Sequence, residues 1–202
     1  MESLSTLSGL LGLSFASGVN LYAAVLVVGL GIRYHLLQGL PPELGVLGHP
    51  LVLGIATVMY LAEFFADKIP VVSALWDGIH TFVRPLGAVA MALAATSNLG
   101  PLEQTLVGLV GGTVALSSHA TKMGVRLLAH GTGEPVTQAG MSVAEDVFAV
   151  SLVVLAAQYP YLALAVVAML LIIIACLLPL IWKALRAVFT RLARLFSPAL
   201  QQ

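Results

Sequence analysis

The sequence predicts an all-α integral membrane protein with about six transmembrane helices, a duplicated helix hairpin and an interfacial amphipathic helix at its C-terminus. Of the 202 residues, 59% are hydrophobic and 9% are charged, and the mean hydropathy is +1.02. In a soluble domain about a quarter of the residues are charged. The apolar residues also gather in runs of roughly the 20 residues that a helix needs to cross the hydrocarbon.

Turns rich in Pro and Gly separate the predicted helices. No charged residue lies between Glu2 and Arg33, and "SGVN" interrupts this stretch, so we expect one tilted or broken first helix. A short amphipathic segment, 71–83, precedes Pro85, which is expected to begin the third helix because proline fits the first helical turn. The helices after the first are expected at about residues 51–68, 85–98, 102–128, 135–157 and 160–182.

The chain is expected to form a single transmembrane domain, 1–182, followed by a cytoplasmic tail, 183–202. In "WKALRAVFTRLARLF", four cations share one helical arc and apolar side chains lie opposite, which is typical of an interfacial helix attracted to anionic lipid. Six spans and a cytoplasmic C-terminus predict a cytoplasmic N-terminus as well. This orientation follows the positive-inside rule, with eight cations inside and only Arg33 outside. The cations placed inside are Lys68, Arg84, Lys122, Arg126, Lys183, Arg186, Arg191 and Arg194.

Two stretches of the chain resemble each other. Aligning "GIATVMYLAEFFADK" with "GLVGGTVALSSHATK" pairs Lys68 with Lys122, and farther on Pro85 pairs with Pro135. Such identities also arise by chance in a small apolar alphabet, so duplication and coincidence are both open. A real repeat would have parallel copies and a substrate site at their interface. The predicted copies cover about residues 51–98 and 102–157.

Three charged side chains lie near the end of the second predicted helix. Glu63 and Asp67 are four residues apart and share a helical face, with Lys68 beside them. Only 12 residues separate Pro50 from Glu63, about 18 Å at the helical rise. Glu63 is therefore expected inside the bilayer, where a charge is costly. The alternative is that Lys68 snorkels toward water while the acids cap the helix end.

Two further groups of charged and polar side chains have helical spacing. They could form the wet side of a cytoplasmic rim, or they could be partners for the acids of the second helix, since buried charges must pair. Each group has the spacing i, i+3, i+7, and the two groups are His119, Lys122 and Arg126, and Asp77, His80 and Arg84.

Adjacent acids, Glu145 and Asp146, occur in the fifth predicted helix. If that helix begins at Pro135, they lie ten residues into it, about 15 Å along its axis and close to the membrane midplane. If it begins near Met141, they are first-turn acids favoured by the helix dipole. In the first case a pair of intramembrane carboxylates indicates a proton, cation or substrate site.

The sequence gives little support to catalysis, metal binding or nucleic-acid binding. It contains neither the G-x-S-x-G nor the H-E-x-x-H motif. His119 with Glu63, Asp67 and Glu145 could hold a divalent metal, but no local ligand spacing supports this, and neither metal nor cofactor is expected. The formal net charge is zero and no basic tract is interleaved with aromatics, so nucleic acid is not an expected partner.

Three motifs, "EFFADKIP", "WDGIHTFVRP" and "SSHATK", together resemble a family of small bacterial integral-membrane proteins described as domain of unknown function 4126. The resemblance covers about residues 10–157, and its specific parts are A-D-K-x-P from Ala66 and W-D…R-P from Trp76. It implies a multi-pass protein of the bacterial inner membrane and implies no activity.

Three functions are consistent with these residues. The first is a transporter, channel or carrier with an intramembrane charged site that binds a small ion. The second is the handling of a lipid or polyprenyl-phosphate headgroup by the same cations at the inner interface. The third is a non-transporting membrane scaffold whose charges seal its cytoplasmic rim. The candidate binding and transport residues are Glu63, Asp67, Lys68, Asp77, Arg84, His119, Lys122, Arg126, Glu145 and Asp146.

Membrane lipids are the expected partners of the chain in every one of these functions. A homodimer is also expected, because a carrier of this size would need a second copy to enclose a pathway. Gly111 and Gly112 permit the close helix contacts that such packing requires.

Overall fold

The computed structural model describes residues 2–130 and 135–196, and these residues contain helices and no strand. The all-α class is confirmed. Within the described part the helices are α1 Glu2–Val19, α2 Leu21–Arg33, a 3-10 helix Pro42–Gly48, α3 Pro50–Ala66, α4 Pro70–Ala95, α5 Pro101–His130, α6 Pro135–Gln158 and α7 Pro160–Phe196.

Three helical stretches are long and apolar enough to cross a membrane: Val71–Ala95, Ala139–Gln158 and Pro160–Leu177. The 3-10 helix and α3, which meet at an angle of 65°, make a fourth if they are counted as one span. These are the features of an all-α membrane protein. Six crossing helices and the duplicated repeat stay predictions.

One predicted helix start, at Pro85, is wrong, and the helix predicted to end at about residue 182 continues beyond it. α4 is one helix through Pro85, so the segment before this proline and the predicted third helix are continuous. α7 likewise runs through Pro179 to Phe196 without ending at 182. Proline removes one backbone N–H, but an apolar environment offers the neighbouring backbone groups no water, so the helix remains their best conformation.

The amphipathic arrangement predicted for the tail lies largely outside the described residues. α7 has helical backbone to Phe196, and the side chain of Lys183 is exposed. The side chains of the tail arginines and the whole of 197–202 are outside that part. α1 to α6 with the first turns of α7, to Val167, form one compact unit, and the remainder of α7 from Ala168 belongs to a second unit.

α1 and α2 form a helical hairpin, whereas the sequence predicted a single tilted or broken helix. Gly12 of α1 packs against Ala156 near the end of α6. Asn20, at the end of α1, donates a hydrogen bond to Asp146 in the middle of α6. α1 is therefore antiparallel to α6.

The chain after α2 returns to the level at which α1 started. The Gln158 side chain at the end of α6 donates a hydrogen bond to the Leu36 carbonyl, and Gly39 lies against the carbonyl of Ala157. α2 therefore runs parallel to α6, opposite to α1. The two ends of the hairpin lie at the same end of the compact unit and its tip, at Asn20, lies inside.

The backbone reverses at Asn20 because this residue leaves the helical conformation. Its φ of −148° and ψ of 102° are extended, and its side-chain oxygen accepts a hydrogen bond from the backbone N–H of Ala23. Asparagine is among the best residues for this capping role. Asn20 thus ends α1 and begins α2.

α1 is the central helix of the compact unit. Residues 12–20 are all buried, and α1 packs against α4, α5 and α6. At Gly18 the approach to α5 is so close that an added Cβ would lie 1.9 Å from the Ser118 Oγ and 2.1 Å from the Ala115 carbonyl oxygen. Only glycine fits there, and this close crossing brings the hairpin tip to the level of the charged side chains of α5.

Candidate functional site

Seven charged side chains from four helices form one network of buried ion pairs, here called the ion network. Each member lies within 4.0 Å of an oppositely charged group, and each is buried except Glu145, whose side chain is 16% exposed. The members are Glu63 of α3, Asp67 at the C-cap of α3, Asp77 and Arg84 of α4, Lys122 and Arg126 of α5, and Glu145 of α6.

Arg84 is fully buried at the centre of this network. Its Nη2 lies 2.6 Å from Glu63 Oε1, and its Nη1 donates to the Gly18 carbonyl at 3.1 Å and to His119 Nδ1 at 2.6 Å. A guanidinium has only donors, so His119 Nδ1 accepts and the His119 proton lies on Nε2. That nitrogen faces the backbone carbonyl of Asp77 at 3.1 Å. His119 is therefore neutral and orients Arg84.

Lys122 connects α3, α5 and α6 with the hairpin. Its ammonium lies 3.3 Å from Glu63 Oε1 and 3.1 Å from Glu145 Oε2, and it donates to the Val19 carbonyl at 3.0 Å. Two hydrogen bonds and one further ion pair thus surround the buried ammonium.

Arg126 holds two carboxylates with its planar donors. Nη1 and Nη2 bind both oxygens of Asp67 at 2.7 and 2.6 Å, and Nε and Nη2 bind the oxygens of Glu145. Hydroxyls complete the arrangement, since Ser73 accepts from Arg126 and Ser142 donates to Asp67. Bidentate pairs of this kind are the strong ones.

Asp77 is held much more loosely. Its oxygens lie 3.7 Å from Arg84 Nη2 and 3.6 Å from Arg126 Nη1, and buried Oδ1 has no hydrogen-bond partner among the described residues. The network contains four carboxylates and three cations, so it would carry one net negative charge if every group were ionised.

The hairpin tip contributes backbone carbonyls to the network. In an unbroken helix the carbonyls of Gly18 and Val19 would accept from residues 22 and 23, but the break at Asn20 leaves them to Arg84 and Lys122. The C-terminal end of a helix carries partial negative charge. The tip of α1 is therefore a binding surface for cations.

Asp146 lies on the other side of the tip and has neutral partners. Asn20 Nδ2 donates to its Oδ1 at 2.8 Å and the Tyr60 hydroxyl donates to its Oδ2 at 3.0 Å. Asn20 therefore caps α2 with its oxygen and binds an acid of α6 with its nitrogen.

An aromatic group lies beside the network. The Tyr22 hydroxyl of α2 lies 2.8 Å from His80 Nε2, and His80 Nδ1 lies 2.7 Å from the Trp76 carbonyl. A carbonyl only accepts, so the His80 proton lies on Nδ1 and Nε2 accepts from Tyr22. The His80 ring is stacked on Trp76.

Nine of the ten predicted site residues lie in this region. Glu63, Asp67, Asp77, Arg84, Lys122, Arg126 and Glu145 form the ion network, His119 orients one of its members, and Asp146 binds the hairpin tip. The tenth, Lys68, is exposed beyond the end of α3, where its ammonium donates to the Phe64 carbonyl and lies 3.1 Å from the centre of the Phe64 ring.

Three interpretations drawn from the sequence are corrected by these positions. Lys68 and Lys122, paired in the predicted repeat, do not face the same central region, because one is exposed and the other is buried. Pro85 lies inside α4, whereas its predicted counterpart Pro135 begins α6. Arg84, Lys122 and Arg126 are buried and so do not line the wet side of a cytoplasmic rim. Because they are not loop residues, they no longer count as loop charges in the positive-inside rule.

Of the alternatives for Glu145 and Asp146, the one with a helix from Pro135 is confirmed, and both acids lie in the interior of α6. Sequence reasoning missed Asn20, Tyr60 and the two tip carbonyls. The one signal for them was the interruption "SGVN" in an uncharged run. In the described part of the chain no group of three or more His, Cys, Asp or Glu could hold a metal ion.

The fold and the ion network define an all-α membrane protein with charges buried between its helices. The chain matches the family described as Domain of unknown function (DUF4126) over residues 7–180. It belongs to this family, and the resemblance noted in the sequence is confirmed. No curated protein and no solved structure matches the chain.

Proposed function

We propose that this protein is a small membrane carrier that binds a proton or another small cation at the ion network. The observation that carries the proposal is the hairpin α1–α2, whose tip meets buried charges from four helices. In membrane proteins, non-helical backbone at membrane depth is tolerated where it is buried in protein or lines a cavity. Broken helices whose ends face charged groups are typical of carrier binding sites.

The charge balance supports a cation as the bound species. Three cations face four carboxylates in the network, and Asp146 adds a fifth carboxylate with neutral partners. Excess buried negative charge is costly in a membrane unless something neutralises it. A proton or small cation would do so, and exchanging it with either aqueous phase is the elementary step of a carrier.

The topology that accompanies this proposal has the hairpin and five crossing helices, α3 to α7. Lys68 in the α3–α4 connection and the cations of the C-terminal tail are placed in the cytoplasm of a bacterial cell. In this proposal the N-terminus lies outside, since α1 begins at the opposite end of the compact unit from Lys68, whereas the sequence alone had predicted it inside. The homodimer stays a prediction.

The contacts do not favour headgroup handling. Lys122 and Arg126 were the cations expected to receive an anionic group, and both are buried and bound to carboxylates. A phosphate could bind them only by displacing those partners. The same pairing makes a non-transporting scaffold the second candidate, since paired buried charges can act as a rigid specificity device.

Ion flux into liposomes distinguishes a carrier from a scaffold. The purified protein is reconstituted into liposomes that contain a dye selective for H⁺, Na⁺ or K⁺, and a gradient of the matching cation is applied to each preparation. We expect flux above that of protein-free liposomes for at least one cation. Asp77→Asn should remove it without loss of folding, because Asp77 is the carboxylate of the ion network with the longest contacts to the cations.

Lys68→Ala is the control for this experiment, because it also removes a charge but lies outside the ion network. It should retain wild-type flux. If the wild-type protein gives no flux with any of the three cations, the carrier function is refuted and the scaffold is favoured.

A further inference from the structure

We infer that Asp77 is a proton-binding site, so that the cation this carrier exchanges is H⁺. The protonation of Asp77 rests on the geometry of the ion network alone. The statement that this proton is the transported ion rests in addition on the proposed function.

The contacts within the network separate Asp77 from the other three carboxylates. Glu63 has a 2.6 Å contact with Arg84, and Asp67 and Glu145 are each bound through both oxygens by Arg126. Among the described residues, the cation closest to Asp77 is Arg126, at 3.6 Å. The charge-assisted bonds that keep a buried carboxylate ionised are therefore present for three acids and missing for the fourth.

Asp77 is also buried, so water does not stabilise its ionised form. Its residue is 4% exposed, and its Oδ1 is fully buried without a hydrogen-bond partner among the described residues. An ionised carboxylate in such a position would lose its hydration and have only two cations at 3.6 and 3.7 Å in its place, beyond hydrogen-bond distance, which is unfavourable. Binding a proton from the aqueous phase to one carboxylate oxygen gives a neutral carboxylic acid and removes the excess negative charge of the network.

The charged groups that face Asp77 determine what a change in its protonation state does to the network. Arg84 lies on its own helix, Asp67 on α3, and Lys122 and Arg126 on α5. The three cations are already committed to Glu63, Asp67 and Glu145. Deprotonation of Asp77 would draw Arg84 or Arg126 away from its present partner, and so the protonation state is coupled to the helices that these arginines connect.

A proton fits this position better than a metal cation. Sodium and larger ions need several oxygen ligands around an open cavity, whereas the nearest charged neighbours of Asp77 are guanidinium donors. In the described residues no three acidic or histidine side chains are arranged as metal ligands. A proton needs a single oxygen, and Oδ1 is available.

Infrared difference spectroscopy of the protein in lipid tests the inference without any transport assay. The wild-type protein at neutral pH should show the C=O stretch of a protonated carboxylic acid, shifted on exchange into D₂O. Asp77→Asn should remove this band. Asp67→Asn, the matched control on a carboxylate bound through both oxygens, should retain it.

Thermal unfolding of the same two variants in detergent gives a second readout. Asp77→Asn replaces a neutral acid with a neutral amide and should leave Tm at the wild-type value, whereas Asp67→Asn removes one of the two carboxylates bound by Arg126 and should lower Tm. The inference is overturned if no protonated-carboxyl band exists, if the band is lost in Asp146→Asn instead, or if Asp77→Asn lowers Tm as much as Asp67→Asn.

The outcomes also separate this inference from the proposed function. A band lost with Asp77→Asn in a protein that gives no cation flux would leave Asp77 protonated and refute the carrier. Flux of Na⁺ or K⁺ without a protonated Asp77 would support the carrier function and refute H⁺ as the transported ion.

Discussion

At the scale of single residues, each charged member of the ion network depends on a few specific partners that no other group can replace. Arg84 alone reaches α3, α5 and the hairpin, through Glu63, His119 and the Gly18 carbonyl. Removing one partner of a buried pair leaves the other charge uncompensated, at a cost of about 3–5 kcal/mol. The network is therefore stable as a whole and fragile at each member.

We expect Arg84→Met to lower the free energy of unfolding by about 3–5 kcal/mol, because Glu63 is 1% exposed and would lose its closest cation. Thermal unfolding in detergent measures this change. The control is Arg33→Met, which removes the same side chain from an exposed position with one backbone hydrogen bond. Equal Tm values for the two variants would show that Arg84 contributes no structural ion pair.

Sequence reasoning reached most of the site residues because charge is rare in this chain. With 18 Lys, Arg, Asp and Glu among 202 residues, nearly every charge in an apolar run becomes a candidate. It left Lys68 between an intramembrane site and snorkelling toward water, since adjacency to Asp67 does not determine the direction of a side chain at a helix end, and the exposed Lys68 of the structure fits the second. It missed Asn20 and Tyr60 because neutral polar residues are not exceptional in such a sequence.

At the scale of the helices, the hairpin is the feature that brings α1 and α2 to the network. Its geometry follows from one residue, Asn20, which ends one helix and caps the next, and from a glycine that lets α1 touch α5. The sequence predicted a break at this position. It could not tell a bent span from a reversal, because the reversal is fixed by contacts of Leu36 and Gly39 with the end of α6.

We expect Gly18→Ala to destabilise the protein by about 1–3 kcal/mol or more, the range found for overpacked cores. An added Cβ would meet the Ser118 Oγ and the Ala115 carbonyl at 1.9 and 2.1 Å. Unfolding in detergent gives the value. Gly54→Ala is the matched control, since this helical glycine of α3 has no atom within 4 Å of an added Cβ, and alanine there should be neutral or stabilising by about 0.5–1 kcal/mol. Similar behaviour of the two variants would contradict the close crossing of α1 and α5.

At the scale of the whole molecule, the proposed topology predicts one orientation in the membrane. In that proposal Lys68 lies on the cytoplasmic side and Arg33 on the outer side, and the three buried cations no longer count as loop charges. The sequence predicted the membrane class from composition alone. It predicted a cytoplasmic N-terminus because it counted residues 2–33 as one crossing helix, whereas the proposed topology has this terminus outside.

The sidedness of the two ends of the hairpin tests the central claim most directly. In a Cys176→Ser background, which removes the only cysteine, single cysteines replace Leu4, Leu36 and Lys68, all exposed. A membrane-impermeant maleimide is then applied to intact cells and to inverted vesicles. We predict that Leu4→Cys and Leu36→Cys are labelled from the same side and Lys68→Cys from the opposite side. Labelling of positions 4 and 36 from opposite sides would mean that residues 2–33 cross the membrane, and it would contradict a hairpin whose tip lies in the ion network.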